Sequence, residues 1–323
     1  MKQYALGIDI GGTSAKIVLA DRRMKVAARG AVPCDPHRPW REALGRIAAE
    51  ASALRGARRV VGIGVGCAWC VDAVRGVVQF SPNLPRWKRV PLAEFLAARL
   101  GVPCVLDNDV NMMALGELRH GAARGARNVC CVTIGTGVGG GLILDGRLYR
   151  GASMTAGELG HIPVDPEGIR CPCGSRGCLE RYVGREGIMR LARRAMSGAR
   201  AREGVLTPAI VADAARRGDP GARRVWEEAG RCLGLGLVVL VNLLNPDVIV
   251  VGGGISGAGR FLLGPARRVV RERALPIPAR HVRIVRSALG LDAGALVSAG
   301  EAFAAAGAAP VSRARPGGSS GAR

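Results

Sequence analysis

The chain has 323 residues, of which 48% are hydrophobic and only 3% aromatic, and its formal net charge is +22. This length exceeds what one hydrophobic core usually serves, so we expect two domains with largely aliphatic cores. Arginine carries nearly all of the positive charge, and no aromatic residues alternate with it as a single-strand binding surface requires. We therefore expect no nucleic-acid partner, but an arginine-rich surface that attracts anionic ligands.

The first ten residues, MKQYALGIDI, are typical of a strand rather than a secretory signal. The longest apolar run, at 233–244, contains Asn242 and is too short to span a bilayer. We expect a soluble, cytoplasmic protein with no membrane partner.

The first predicted element is a hairpin of strands at 4–10 and 15–20, joined by Gly11, Gly12 and Thr13. Such a turn exposes backbone N–H groups that can cradle phosphate oxygens. Asp9 would then face the phosphates, where a hydrated cation makes its charge favourable. An ordinary tight hairpin is the alternative.

A helix at 39–55 and a buried strand at 60–65 are predicted next. Cys67 and Cys70 follow with Cys-x-x-Cys spacing, which occurs in redox and metal sites. Because no companion pair lies nearby, we favour packing thiols. The proline-punctuated loop at 80–87 contains Asn83, which could reach a ligand.

A helix at 92–100 and a strand at 102–106 lead into the segment DNDVN, residues 107–111, and a further helix at 112–120. Carboxylates and amides just beyond a strand are where α/β sheets hold their chemistry. Helix capping would need only one of these four polar side chains. The pattern therefore favours a functional site.

The strand at 128–134 runs into the glycine-rich segment 135–141 and then a strand at 142–144. The letters match GxGxxG, but the dinucleotide fingerprint must open a helix, and here it opens a strand. We interpret it as a second phosphate-binding hairpin that repeats the turn at 11–13. Two such units predict a duplicated architecture.

The segment from His161 to Glu180 is a loop rich in proline and glycine that contains Cys171, Cys173 and Cys178. One imidazole and three thiolates complete a tetrahedral Zn²⁺ site with no open position, so the metal would be structural. A disulfide is the weaker alternative, because no secretory signal is present.

The remaining predicted elements are helices at 184–197, 207–217, 219–244 and 291–306 and strands at 247–251 and 282–286. The glycines at 252–257 follow a strand, and Glu272 has the offset of a ribose-binding acid, which offers a Rossmann alternative. Glu272 falls in an apparent helix, however, and a glycine turn against adenine explains the segment equally well. The tail at 310–323 is predicted to be disordered.

Together the motifs LGIDIGGT, DNDVN, TIGTGVGGG, GELGH, CPCGSRGCLE and NPDVIVVGGGIS resemble the ROK family of bacterial sugar kinases. The resemblance runs from Leu6 to about Ala306. It implies an α/β fold of two actin-like (ribonuclease H-like) domains that flank a cleft, with a zinc-stapled loop. Residues 1–112 plus 291–309 would form the smaller domain, and 113–290 the larger one.

The resemblance also implies a binding site for ATP and Mg²⁺. The residues expected at the phosphates and the metal ion are Asp9, Gly11, Gly12, Thr13, Lys16, Gly135, Thr136 and Gly137. Those expected beside adenosine are Gly253 and Gly254.

For the sugar, the resemblance implies that Asp109 is the general base on the 6-hydroxyl. The residues implied to bind the other hydroxyls are Asn83, Asn108, Glu158, His161 and Glu180. His161 would also ligate Zn²⁺ together with Cys171, Cys173 and Cys178. A homo-dimer or homo-tetramer is expected.

These implications predict an ATP-dependent hexose kinase, with glucose as the favoured substrate. N-acetylmannosamine, fructose and other hexoses stay open, because Ala68-Trp69 replaces the family's usual Pro-Gly pair near the sugar. A ROK regulator would carry a winged helix-turn-helix ahead of the first strand, for which we expect no room. An NAD-dependent oxidoreductase would leave the zinc loop and both hairpins unexplained.

Overall fold

The computed structural model describes residues 2–35, 37–68, 70–80, 84–196, 206–290 and 293–307. The predictions made for Asn83, Trp69 and the tail at 310–323 lie outside these described residues.

The strands are β1 (Tyr4–Ile10), β2 (Ser14–Asp21), β3 (Val26–Pro33), β4 (Val60–Cys67), β5 (Cys70–Asp72), β6 (Val77–Phe80), β7 (Lys88–Val90), β8 (Cys104–Asn108), β9 (Val129–Ile134), β10 (Val138–Leu144), β11 (Arg147–Tyr149), β12 (Val248–Gly252) and β13 (Arg283–Arg286). The α-helices are α1 (Trp40–Arg55), α2 (Leu92–Leu100), α3 (Asp109–His120), α4 (Glu180–Val183), α5 (Arg185–Ala195), α6 (Pro208–Arg216), α7 (Pro220–Leu244), α8 (Arg260–Arg273), α9 (Pro276–His281) and α10 (Ala293–Gly307). Two short 3₁₀ helices span Leu159–His161 and Gly254–Ala258.

Two five-stranded sheets share one topology, which confirms the α/β class and the duplicated hairpin unit. The first sheet has the order β3-β2-β1-β4-β8, and the second has β11-β10-β9-β12-β13. In each sheet the first three strands are antiparallel, and the last two run parallel to the central strand β1 or β9. The glycine turns of the two hairpins therefore occupy equivalent places. A small third sheet has the order β5-β6-β7.

The first sheet is covered on one face by α1 and α2, whose Leu44, Ile47 and Leu96 are fully buried. The helix α10 lies directly on β1 and β4. A Cβ atom at Gly64 would lie 1.7 Å from the Ser298 carbonyl oxygen, and Gly7 is equally tight against α10. Glycine is required at both positions because the helix backbone touches the sheet. The last helix of the chain therefore packs on the first sheet, while its assignment to the first domain stays a prediction.

The second sheet has α7 and α8 on one face, in a core that includes the buried Trp226. On its other face lies α3, whose Val110 and Ala114 pack against strands β9 and β12. The predicted domain boundary at residue 112 falls inside this continuous helix. The division into domains itself stays a prediction.

The topology bears on two of the alternatives left open by the sequence. Strands β9 and β10 form an antiparallel hairpin, and Glu272 lies within α8 rather than after a second strand. The segment 135–141 therefore lacks the structural context of a dinucleotide fingerprint, and the segment 252–257 lacks a ribose-binding acid at the end of the next strand. Burial raises the pKa of both Cys67 and Cys70, as expected for packing thiols.

None of the described helices combines the length and the apolarity needed to cross a lipid bilayer.

Candidate active site

A cavity of about 490 Å³ lies where the turns of the two sheets meet the start of α3. The predicted site residues that line it are Asp9, Gly11, Gly12, Asn108, Asp109, Gly135, Thr136, Gly137, Glu158, His161, Glu180 and Gly253. Thr13, Lys16 and Gly254 are not among its lining residues. Segments far apart in sequence thus converge on one cavity.

Most polar side chains of the DNDVN segment have structural partners. The Asn108 side chain caps α3, because its Oδ1 accepts hydrogen bonds from the Val110 and Asn111 N–H groups at 2.8 and 3.2 Å. The buried Asp107 accepts from Asn111 Nδ2 at 2.8 Å and from Arg150 Nε at 2.8 Å. Three of the four side chains are therefore used to build the strand-to-helix junction.

Asp109, the first residue of α3, is the carboxylate of this segment that is left for chemistry. Its Oδ1 accepts a hydrogen bond from the Val110 N–H at 2.9 Å, and the side chain lines the cavity. Burial, with a smaller contribution from the negative charge of Asp9, raises the pKa of Asp109 from 3.8 to about 6. A carboxylate with a pKa near 6 suits a general base that works near neutral pH.

Asp9 provides a second carboxylate at the end of β1. Burial raises its pKa, and the facing Lys16 on β2 opposes that shift. Within the described part of the chain no hydrogen bond to this carboxylate is found. A desolvated carboxylate without a donor fits a divalent cation such as Mg²⁺. Gly294 of α10 is close enough that a Cβ atom there would lie 2.6 Å from Asp9 Oδ2.

The glycine segment of the second hairpin serves two purposes. In the turn, Gly137 lies against Glu180, whose Oε2 accepts a hydrogen bond from the Val138 N–H at 2.9 Å. The strand expected at 142–144 begins earlier, at Val138. Gly139 and Gly141 contact Val110 of α3, so these glycines allow the helix to lie close to the strand. The phosphate-binding candidates are therefore the turn residues 135–137.

Glu158 lies at the end of a tight loop on the opposite side of the strand. Gly157, with φ of 98°, lies so close to Gly140 that a Cβ atom would be 2.5 Å from the Gly140 oxygen. Burial raises the pKa of Glu158; the nearby His161 opposes this shift and Glu180 adds to it. The loop thus holds a partly desolvated carboxylate where a hydroxyl can reach it.

The predicted zinc ligands converge in space. His161 Nδ1 and the sulfurs of Cys171, Cys173 and Cys178 all lie within 4.8 Å of one another. The Cys173 and Cys178 sulfurs are 3.7 Å apart, far beyond the roughly 2.0 Å of a disulfide bond. Tetrahedral Zn–S bonds of about 2.3 Å place sulfurs about 3.8 Å apart, so the residues present fit Zn²⁺.

The sequence did not indicate the segment between β13 and α10, although Ser287, Leu289 and Gly290 line the cavity. Glu117 of α3, which is fully buried, holds this segment. Its Oε1 accepts hydrogen bonds from Ser287 Oγ at 2.5 Å and from the Leu289 N–H at 3.1 Å, and its Oε2 accepts from the Ala122 N–H at 2.7 Å. The feature of the sequence that could have pointed to this segment is Glu117 itself, a charged residue within a helix that packs on a sheet.

A sequence model of the ROK family matches residues 5–302. The glucokinase of Streptomyces coelicolor is 39% identical over 277 residues, which cover 81% of this chain and 86% of that protein. The transcriptional repressor Mlc of Escherichia coli is 34% identical over 229 residues, which cover 70% of this chain and 56% of the repressor.

Among solved structures, the ROK family glucokinase of Streptomyces griseus, in complex with glucose and AMPPNP, superimposes with a TM-score of 0.80. It is 33% identical, and the match covers 93% of this chain and 99% of the other. The two sheets repeat one topology, and their turns line one cavity. Because the family model matches most of the chain, this protein belongs to the ROK family.

Proposed function

We propose that this protein is an ATP-dependent hexose kinase that phosphorylates glucose at its 6-hydroxyl. The observation that carries the proposal is Asp109, a desolvated carboxylate that shares its cavity with both glycine turns. A sugar hydroxyl must lose its proton as it attacks a phosphoryl group, so a carboxylate within hydrogen-bond reach is required.

The two glycine turns bind the phosphates of ATP through backbone N–H groups that no side chain obstructs. Asp9 holds Mg²⁺, which, when bound with ATP, neutralises the charge that develops on the transferred phosphoryl group. Asp109 accepts the proton of the 6-hydroxyl. Gly253 lies beside the nucleoside. Thr13, Lys16 and Gly254 stay predictions at the margin of the site.

Sugar recognition relies on the polar groups that line the cavity together with the phosphate turns. The Asn108 Oδ1 caps α3, and the residue lines the cavity, where we place it next to a sugar hydroxyl. Glu158, His161 and Glu180 accept or donate hydrogen bonds to the remaining hydroxyls, with Asn83 as a further predicted contact. These hydrogen bonds make the site selective, because a sugar that lacks one hydroxyl leaves a buried protein group without its hydrogen-bond partner.

Zn²⁺ held by His161, Cys171, Cys173 and Cys178 fixes the loop between Glu158 and Glu180. Its part is structural, since the four ligands leave no open position. Glucose is favoured because the S. coelicolor relative is a glucokinase and the S. griseus structure contains glucose. N-acetylmannosamine and fructose are the alternative sugars. The predicted oligomeric state and cytoplasmic location stay predictions.

The decisive experiment measures ADP release from ATP and Mg²⁺ with a panel of hexoses and N-acetylhexosamines. We expect the highest kcat/KM with glucose. Asp109→Asn should lower kcat by roughly 10²–10⁴-fold, which is the usual contribution of a general base.

The matched control is Asp213→Asn, which removes an exposed carboxylate of α6 outside the cavity and should leave kcat unchanged. An Asp109→Asn variant that retains wild-type kcat would exclude Asp109 as the base. Activity with another sugar alone would replace glucose as the substrate.

A second candidate function, sugar sensing by a transcriptional regulator, is favoured by the match to the Mlc repressor. It is tested by sugar-dependent binding to operator DNA in the absence of any sugar-dependent ADP release.

A further inference from the structure

The candidate active-site cavity carries an excess of negative charge. Four carboxylates line it, namely those of Asp9, Asp109, Glu158 and Glu180. Arg286 is the single arginine or lysine among the lining residues that the structure describes. Because a guanidinium group stays protonated at every working pH, this side chain gives the cavity a permanent positive charge. A nucleotide brings further negative charge, so this cation calls for an account.

The guanidinium group of Arg286 is available to a ligand. The side chain is exposed, and no described residue accepts a hydrogen bond from it or forms an ion pair with it. Arginines elsewhere are engaged by carboxylates, as in the pairs of Arg150 with Asp107 and of Arg181 with Glu186. The charge of Arg286 is therefore uncompensated by the described protein, at the wall of a cavity.

The backbone at Arg286 is held from two sides. Arg286 is the last residue of β13 and lies opposite Val251 of β12. The N–H of the next residue, Ser287, donates to the Val251 carbonyl oxygen at 2.9 Å, and Ser287 Oγ donates to the buried Glu117 at 2.5 Å. A side chain on such a fixed backbone has less freedom to lose when a ligand binds, so Arg286 is well placed to bind one.

Arg286 lies at the nucleoside end of the proposed ATP site. Strands β9, β12 and β13 are parallel neighbours, so their carboxyl ends lie at one edge of the sheet. Strand β9 leads into the phosphate turn at Gly135, β12 leads to Gly253, and β13 ends at Arg286. Neighbouring strands are about 4.8 Å apart, which places the ends of β9 and β13 about 10 Å apart across the sheet. A nucleotide whose terminal phosphate lies at the turn extends along this edge.

We propose that Arg286 binds the α-phosphate of ATP and of ADP through its guanidinium group. The proposal rests on the kinase function proposed above. Mg²⁺ held by Asp9 and the N–H groups of the turns serve the outer phosphates, and Arg286 supplies the positive charge at the inner one. A guanidinium group suits this place because its planar fork of N–H donors matches two phosphate oxygens.

This role makes Arg286 a residue for nucleotide affinity rather than for the chemical step. No bond to the α-phosphorus forms or breaks in the transfer, so the contact is equally strong in the ground state and the transition state. Such uniform binding lowers KM and leaves kcat unchanged.

The test measures initial rates of sugar phosphate formation by wild type and Arg286→Gln with excess Mg²⁺. We expect the KM for ATP to rise about 10–100-fold at unchanged kcat, because charge-assisted hydrogen bonds are lost. The inhibition constants of ADP and AMP, which keep the α-phosphate, should rise by a similar factor, whereas that of adenosine should not change. Arg286→Lys should retain part of the affinity, since it keeps the charge without the fork.

The matched control is Arg283→Gln, which removes an exposed arginine from the other end of the same strand, outside the cavity. It should leave kcat, KM and every inhibition constant unchanged. An active Arg286→Gln variant with the wild-type KM for ATP would overturn this inference and leave the kinase proposal standing. An equal loss of affinity for AMP and adenosine would also overturn it, because Arg286 would then contact the base or the ribose.

A wild-type protein that phosphorylates no sugar would refute the kinase proposal instead. The contact is then decided by calorimetric titration of ADP with Mg²⁺ into wild type, Arg286→Gln and Arg283→Gln. Weaker binding in Arg286→Gln alone supports the contact, and equal binding by all three proteins refutes it.

Discussion

At the scale of single residues, the DNDVN segment shows how one side chain is separated for chemistry from three similar neighbours. Asn108 caps α3, while Asp107 accepts hydrogen bonds from both Asn111 and Arg150. Each of these side chains has at least one hydrogen-bond partner inside the protein. Burial of the Asp109 carboxylate instead disfavours its ionised form and raises its pKa.

The pKa of Asp109 predicts the pH dependence of the enzyme. Because the base must be ionised, kcat/KM should fall about tenfold for each pH unit below about 6 and stay level above it. Initial rates at saturating ATP and limiting sugar, between pH 4.5 and 8.5, measure this fall of kcat/KM on the acid side. Asp213→Asn should retain it, and a profile that is level down to pH 4.5 would contradict the assignment.

The same shift makes a prediction about stability. The folded state disfavours ionised Asp109, so the penalty is absent below pH 4 and fully present above the folded pKa of about 6. A rise from 3.8 to about 6 corresponds to about 3 kcal/mol. Asp109→Asn should therefore exceed wild type in free energy of unfolding by up to that amount at pH 8, and match it at pH 4. Urea titrations at the two pH values measure both differences.

At the scale of secondary-structure elements, close backbone contacts position the site. Helix α10 lies on β1 and β4 through Gly7 and Gly64, which brings Gly294 against Asp9. Glycine is needed because any Cβ atom would occupy the space of a helix carbonyl oxygen. The orientation of Asp9 thus depends on helix packing far along the chain.

Gly64→Ala should force α10 away from the sheet and lower the free energy of unfolding by about 3 kcal/mol. The control is Gly45→Ala, inside α1, where a Cβ atom meets nothing within 4 Å. It should raise stability by about 0.5–1 kcal/mol, because alanine favours a helix over glycine. Thermal and chemical unfolding measure the stability of both variants. If the two substitutions change the free energy of unfolding equally, the close contact at Gly64 is ruled out.

Glu117 joins α3 to the segment that leads into α10. In Glu117→Gln the new amide N–H₂ would face N–H or O–H donors, so a hydrogen bond is lost in a fully buried place. We expect a loss of about 1–3 kcal/mol in the free energy of unfolding. Glu94→Gln, at an exposed site on α2, should change it by less than about 0.5 kcal/mol. A neutral Glu117→Gln variant would show that the segment holds its place without this carboxylate.

At the scale of the whole molecule, two sheets of one topology place their glycine turns around a single cavity. A cysteine-rich loop between β11 and α4 carries Glu158 and leads into Glu180, the two carboxylates that we propose face the sugar, and it has few apolar residues with which to hold its own shape. A metal ion bound by its histidine and cysteines would account for the order of this loop.

The metal prediction is tested on the purified protein. We expect one Zn²⁺ per chain by elemental analysis, and its loss in Cys173→Ser. Melting should begin several degrees lower, at about 2–4 °C for each kcal/mol lost, and kcat/KM for the sugar should fall because Glu158 and Glu180 lose their shared support. Cys104→Ser, a half-buried cysteine outside the cluster, is the control. Full activity in metal-free protein would contradict a structural role for Zn²⁺.

The sequence by itself determined the features that depend on neighbouring residues. Local periodicity, turn chemistry and spacing predict the helix at 92–100, both glycine hairpins and the cluster of four potential metal ligands. Short or partly exposed strands such as β3, β5 and β11 escaped prediction, because they bury too few side chains to show a pattern.

Only the tertiary structure decided the separate roles of chemically similar side chains. Asp107 pairs with Arg150, which lies 43 residues away in the sequence, whereas Asp109 does not pair with it. The strand glycines at 139–141 and Glu117 have their roles because sheet pairing and helix packing bring their partners close. Local sequence patterns carry no record of such contacts, since desolvation and charge at a site depend on segments that meet only in the folded chain.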